Sequence, residues 1–218
     1  MKKIIYYALP LILAFVIVSC GGKKTPEEKL VSDLEKIEKE AEKSNDLSGN
    51  AKVFNIKSGY IKYKNIAMGM EMSREFWFDD YGALQYEENF MEMMGIKTGG
   101  YGLVKDGYRY TWNIDNTSGA KMKFLTSRYT EFEDIAKEDI ERYKMKDHGT
   151  EVVAGKKCRK VSVDEPVSAM TWTWEGLPIK TVTKMGDKEV LMEAIEVKEG
   201  DVPAAKFEVP SNITFTEM

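Results

Sequence analysis

From residue 51 onward, apolar and polar side chains alternate with a period of two in stretch after stretch, the pattern of strands buried on one face. Over 68–78, Met68, Met70, Met72, Phe76 and Phe78 fall on one side and Glu71, Ser73 and Glu75 on the other. Arg74 interrupts the apolar side and Trp77 the polar one. Residues 84–93 are again extended, and over 108–114 Tyr108, Tyr110, Trp112 and Ile114 alternate with Arg109, Thr111 and Asn113. A short strand holds Met122 and Phe124, and further strands are predicted at 157–163, 169–175, 179–185 and 189–197. Turns fall at Asp79-Asp80-Tyr81-Gly82, Asp106-Gly107, 115–119 and Gly186-Asp187; the Asp-Gly pair supplies the positive φ that tight hairpins need. Gly99-Gly100-Tyr101-Gly102 reads as a further break between strands.

Two stretches carry helical spacing instead. Thr25-Pro26-Glu27-Glu28 combines a cap, a proline at the first helical position and a capping-box glutamate. Leu30, Leu34, Ile37 and Ala41 then make one narrow stripe, predicting a helix over 26–45 that packs across a sheet. Phe132, Ile135, Ile140 and Tyr143 predict a second helix within 131–144. Two helices against eight or more strands predict an α+β half-barrel pattern.

The N-terminus changes the picture of where this domain works. Met1-Lys2-Lys3 opens a basic start, residues 4–18 are apolar but for Pro10, and Ile17-Val18-Ser19-Cys20 closes the run as a lipobox. A membrane span needs roughly 20 apolar residues, more than this run supplies. The layout resembles bacterial lipoprotein signal peptides, which implies removal of 1–19, lipidation of Cys20, a tether at 20–25, the helix at 26–45 and a sheet domain at 50–218. Two or more acyl chains on such a cysteine make membrane anchoring durable. Gly21 stands where an aspartate marks inner-membrane retention in resembling lipoproteins, which implies the outer membrane with a periplasm-facing domain.

The formal charge is −4, and −6 once Lys2 and Lys3 are lost, which argues against a nucleic-acid partner. With Cys20 lipidated, Cys158 has no partner in the chain; a buried small hydrophobe, a reactive thiol and an intermolecular bridge are its three readings. Gly149 to Gly155-Lys156 is no phosphate loop, because the glycine spacing is one residue too long, Lys157 replaces the Ser or Thr, and a strand follows. Neighbouring acids such as Asp79-Asp80 and Glu87-Glu88 point to opposite faces of a strand and do not converge. A single histidine, His148, gives no metal set and no nucleophile with its base, so neither an enzyme nor a cofactor or metal is expected.

Gly149-Thr150-Glu151-Val152-Val153-Ala154-Gly155-Lys156-Lys157-Cys158, Trp172-x-Trp174-x-Gly176-x-Pro178-Ile179-Lys180 and Val202-Pro203-Ala204-Ala205-x-Phe207-x-Val209-Pro210 together resemble signatures of small envelope proteins related to the outer-membrane lipoprotein carriers, the Lol-type half-barrels. The resemblance covers about the last third of the chain, with Trp77-Phe78-Asp79-Asp80-Tyr81-Gly82 extending it weakly. It implies a curved antiparallel sheet forming an incomplete β-barrel, with the N-terminal helix and the interrupting helix over an apolar concave face that holds acyl chains in the carriers. No functional position of a carrier transfers residue by residue.

Met70, Met72, Phe76, Phe78, Tyr108, Tyr110, Trp112, Trp172 and Trp174 are the candidate ligand-binding residues, expected to line that concave surface. Methionine suits such a surface because its unbranched, polarizable chain adapts to variable shapes. The expected function is an outer-membrane-anchored lipoprotein binding a lipid or other hydrophobic ligand. The alternative is a structural or protein-interaction envelope lipoprotein whose core fills itself and whose open sheet edges meet partners.

Overall fold

The computed structural model describes residues 52–124 and 129–218. The signal segment, Cys20, the tether and the helix expected at 26–45 lie outside the described residues. What is described is mostly β, one long, open, curved sheet not closed into a barrel. Its strands are β1 Gly59–Ala67, β2 Met70–Asp79, β3 Leu84–Met93, β4 Ile96–Lys105, β5 Tyr108–Asn113, β6 Ser118–Lys123, β7 Lys146–Val153, β8 Lys156–Val163, β9 Ala169–Trp174, β10 Leu177–Met185, β11 Lys188–Glu199 and β12 Thr214–Glu217. They lie side by side as β12-β6-β5-β4-β3-β2-β1-β11-β10-β9-β8-β7. Every pair is antiparallel except β12 with β6.

Two features of the sequence pattern resolve differently from expectation. Gly99-Gly100-Tyr101-Gly102 does not break the sheet but runs inside β4. The glycines answer close approach instead: a Cβ on Gly102 would stand 2.6 Å from Glu87 Oε1, and one on Gly99 2.0 Å from the Asn89 carbonyl. The helix expected within 131–144 is a 3-10 turn at Phe132–Asp134 followed by one short helix, α1, at Lys137–Arg142. Ile135 between them is extended and buried with Met145 and Val161, so tertiary burial interrupts the helical run. Four strands, β1, β4, β7 and β12, add to those named from the alternation.

The main core gathers Ile61, Tyr63, Phe76 and Phe78 of β1 and β2 with Leu177, Ile179, Met192 and Ala194 of β10 and β11. Phe54 seals it, its ring edge-on to Phe78 at 5.2 Å. The segment carrying Phe54 bridges two turns at one end of the sheet: Val53 and Phe54 donate to the Tyr81 carbonyl, and Asn55 donates to that of Glu175. α1 and its flanks form a smaller cluster on Val161 and Val163 of β8.

Candidate functional site

The register divides the β1–β6 half of the sheet into two faces. Ile61, Phe76, Glu87, Gly102, Thr111 and Ala120 stand in one cross-strand row, and that face bears the core. The next row, on the opposite or back face, is Lys62, Glu75, Glu88, Tyr101, Trp112 and Gly119, with Phe215 beyond. The nine residues singled out in the sequence therefore do not line one surface. Met70, Met72, Phe76 and Phe78 share the core face of β2, whereas Tyr108, Tyr110 and Trp112 point away on the back face. Trp172 is in register with Lys180 and Lys160, whose ammonium groups lie 5.4 and 4.8 Å from its ring, and its Nε1 donates to Glu151 at 2.9 Å. Trp174 carries Lys156 at 4.1 Å. Both tryptophans are occupied by their own neighbours.

Going up the core face from the packed end, three zones follow one another. Phe78 and Phe76 are buried in the core. Above them Glu87 is held between two arginines: Arg74 Nη2 meets Oε2 at 2.8 Å and Arg109 pairs with Oε1. Burial alone would raise this carboxyl, but Arg74, Arg109 and an Asn89 side-chain hydrogen bond outweigh it and hold it below the usual carboxylate range. Gly102 carries no side chain, which lets Glu87 lie across β4 toward Arg109 on β5. The pit beside these groups, at Arg74, Phe76, Glu87 and Arg109, has a volume of about 20 Å³, enough for a water and too little for an acyl chain.

The third zone is open. Met72 and Met91 are half-buried, and beyond them Met70, Met93 and Ile96 on the same face are 43 %, 56 % and 67 % exposed. The hairpin tips continue the strip, Met94 being 96 % exposed. Met68 and Met94 both sit at φ +53 before a glycine, the turn position that Asp106 fills at the Asp106-Gly107 hairpin. A large apolar residue there is doubly unfavourable, strained in backbone and exposed to water.

Sequence reasoning passed over the polar groups of this face. Three of the four buried side-chain atoms without a hydrogen-bond partner among the described residues, Asn65 Oδ1, Arg74 Nε and Thr181 Oγ1, lie on it. The signal was present: Asn65 continues the Ile61-Tyr63 phase of β1, as Arg74 continues that of Met72 and Phe76, so both are polar residues at apolar positions.

The back face is closed differently. Ring centroids run Tyr60–Trp77 5.1 Å, Trp77–Tyr86 5.5 Å, Tyr86–Tyr101 6.4 Å, Tyr101–Trp112 5.2 Å and Trp112–Phe215 5.8 Å, a continuous aromatic ribbon. The C-terminal segment straps it: the 3-10 turn Ala204–Phe207 buries Phe207, Lys105 Nζ donates to the Phe207 carbonyl at 3.2 Å, and Lys206 pairs with Glu88 at 2.9 Å while lying 3.7 Å over Trp77.

Two groups of chemical interest are quiet. Cys158 is buried, and that burial pushes its thiol up to about 11, which is the small-hydrophobe reading of this residue. His148 Nε2 stands 2.9 Å from Ser162 Oγ, but neighbouring Asp147 is taken by the Gly149 amide and Arg159 and does not orient the ring. Among the described residues no three His, Cys, Asp or Glu are grouped to hold a metal ion.

No known protein family matches the chain, and no curated protein does. Solved structures do. An uncharacterized conserved protein from Thermus thermophilus aligns at 9 % identity over 85 % of this chain and 99 % of its own, with a TM-score of 0.54. MucB, known from Pseudomonas aeruginosa in complex with MucA, aligns at 14 % identity over 76 % of this chain and 62 % of its own, with a TM-score of 0.46. LprF from Mycobacterium bovis aligns at 12 % identity over 69 % and 89 %, with a TM-score of 0.32. The chain thus has the fold of the Thermus protein, an open curved sheet, and at 9 % identity the likeness extends to the fold alone.

Proposed function

We propose that this chain is a lipid-anchored protein of the bacterial envelope, held in the outer membrane through Cys20, that binds a hydrophobic, acyl-type ligand on the core face of its sheet. The observation that carries the reading is the methionine strip: Met70, Met72, Met91 and Met93 extend the core face beyond the point where the side chains of the described residues bury it. Flexible, polarizable side chains give such a surface its adaptability to an alkyl chain. The lipobox supports the anchoring.

The edges of the sheet disfavour the alternative of a partner docking by strand addition. β7 places Lys146, Asp147 and Glu151 among its exposed residues and carries a register shift between Asp147 and Thr150, and β12 is four residues long. Both devices blunt an edge.

An environment-sensitive acyl probe titrated into the full chain tests the reading. Saturable binding is expected, weakened about tenfold by Met72→Ser with Met93→Ser as apolar contact is lost, and unchanged by Trp112→Ala on the back face. Absence of saturable binding to folded protein, or equal binding by the methionine variant, overturns it.

A further inference from the structure

The three orphaned polar atoms of the core face are neighbours. Asn65 is paired across β1 and β11 with Met192, Thr181 is paired across β10 and β11 with the same Met192, and Arg74 reaches across β1 to donate from Nη1 to Met192 Sδ at 3.5 Å. Arg74 on β2 and Thr181 on β10 are three strands apart at about 4.8 Å each, and the long Arg74 side chain covers two of those gaps to reach Met192 beside Thr181. Thr181 is 5 % exposed, and its hydroxyl finds no partner among the described residues. An unpaired buried hydroxyl, amide oxygen or guanidinium N–H is unfavourable, and three at one spot where the open methionine strip meets the packed core call for a common partner.

We propose that Arg74, Asn65 and Thr181 form a head-group subsite, and that the ligand is an acyl amphiphile whose polar end both accepts and donates hydrogen bonds. This rests on the acyl-binding reading of the same face. Arg74 Nε–H requires an acceptor, Asn65 Oδ1 requires a donor, and the Thr181 hydroxyl takes either role. A carbonyl next to a hydroxyl or amide N–H meets all three, as in a monoacylglycerol or an N-acyl amino acid. A quaternary ammonium neither accepts nor donates a hydrogen bond, meets none of the three groups and is refused. The tail then runs from Met192 along Met72 and Met91 toward Met70 and Met93, with the head set against Tyr63 and Arg74 at the core boundary.

The test uses the full chain in dilute maltoside and photoreactive diazirine amphiphiles sharing one alkyl tail but carrying a monoacylglycerol, an N-acylglycine or a trimethylammonium head. The first two are expected to label at least tenfold more than the third. Thr181→Val, nearly isosteric, is expected to abolish that preference while raising the melting temperature by about 2–4 °C, because it removes an unsatisfied buried hydroxyl. Arg74→Met is expected to abolish the preference as well, and Thr181→Val keeps the test decisive if Arg74→Met does not fold. Equal labelling by all three heads, or a preference that survives Thr181→Val, overturns the subsite and leaves acyl binding standing. No labelling by any head in folded protein overturns both. A fall in melting temperature for Thr181→Val would make its hydroxyl structural and would likewise overturn the subsite.

Discussion

The core face and the back face of β1–β6 spend similar side chains on opposite ends. On the back face, Trp77, Tyr86, Tyr101 and Trp112 stack on one another, and Lys206 and Phe207 close over part of the ribbon. Polar atoms there find partners within the chain: the Tyr60 hydroxyl donates to Glu75 at 3.0 Å, and Lys62 and Lys206 pair with Glu75 and Glu88. On the core face the apolar surface runs on past the packed end into exposed methionine, and at the boundary hydrogen-bonding atoms are left over. Aromatic richness therefore does not locate a site. The proposed site rests instead on unfinished packing beside unfinished hydrogen bonding, both unfavourable unless something else completes them.

The two faces part most sharply at Glu87. Glu87→Gln removes the counter-charge from two buried arginines and is expected to lower stability by about 3–5 kcal/mol, measured by urea unfolding at pH 7. The wild-type pH dependence follows from the lowered folded-state pKa of Glu87. Above the unfolded carboxylate value, about 4.3, the stabilisation is fully present; as pH falls from there through the lower folded value it is lost, since the unfolded chain takes up the proton first. The Gln variant is expected to lack that part of the acid sensitivity.

Next in size is the back face. Trp112→Ala is expected to cost about 2–3 kcal/mol, below the range for a fully buried tryptophan because the ring is half-buried, with acyl binding intact. A loss of binding with stability unchanged would reverse the roles assigned to the two faces. Gly102→Ala is expected to cost about 1–3 kcal/mol, since its Cβ would crowd the carboxylate that two arginines hold in place. Urea midpoints of Gly102→Ala in the wild-type and Glu87→Gln backgrounds would show non-additivity if that crowding is the cause. The smallest stability effect belongs to the strip: Met70→Ser and Met93→Ser, exposed and outside the core, are expected within about 0.5 kcal/mol of wild type by thermal unfolding.

Much of the fold was legible because alternation along a strand is a local property. The strands at β2, β3, β5 and β8–β11, and the Asp106-Gly107 turn, follow from residues a few positions apart. What the alternation does not carry is which side of one strand adjoins which side of the next. Phe76 and Trp112 each lie on the apolar side of their own strand, yet the Phe76–Glu87–Gly102–Thr111 row sets them on opposite faces. The single-surface expectation failed there, because the chain has two apolar faces and the sequence marks no difference between them. Gly102 misled for a related reason, since its partner in space is a side chain fifteen positions earlier. Arg74 was visible throughout as the interruption of an apolar phase, and its meaning emerged only once Glu87, Arg109 and Met192 stood around it.

Everything proposed for this chain turns on the ligand lying on the core face above Arg74. That placement can be read residue by residue, by photo-crosslinking a diazirine-tailed monoacylglycerol to the full chain and mapping the adducts by peptide mass spectrometry. A ligand on the core face predicts adducts on Met70, Met72, Met91 and Met93. Adducts on Trp77, Tyr101 or Trp112 would contradict it and move the binding surface to the back face.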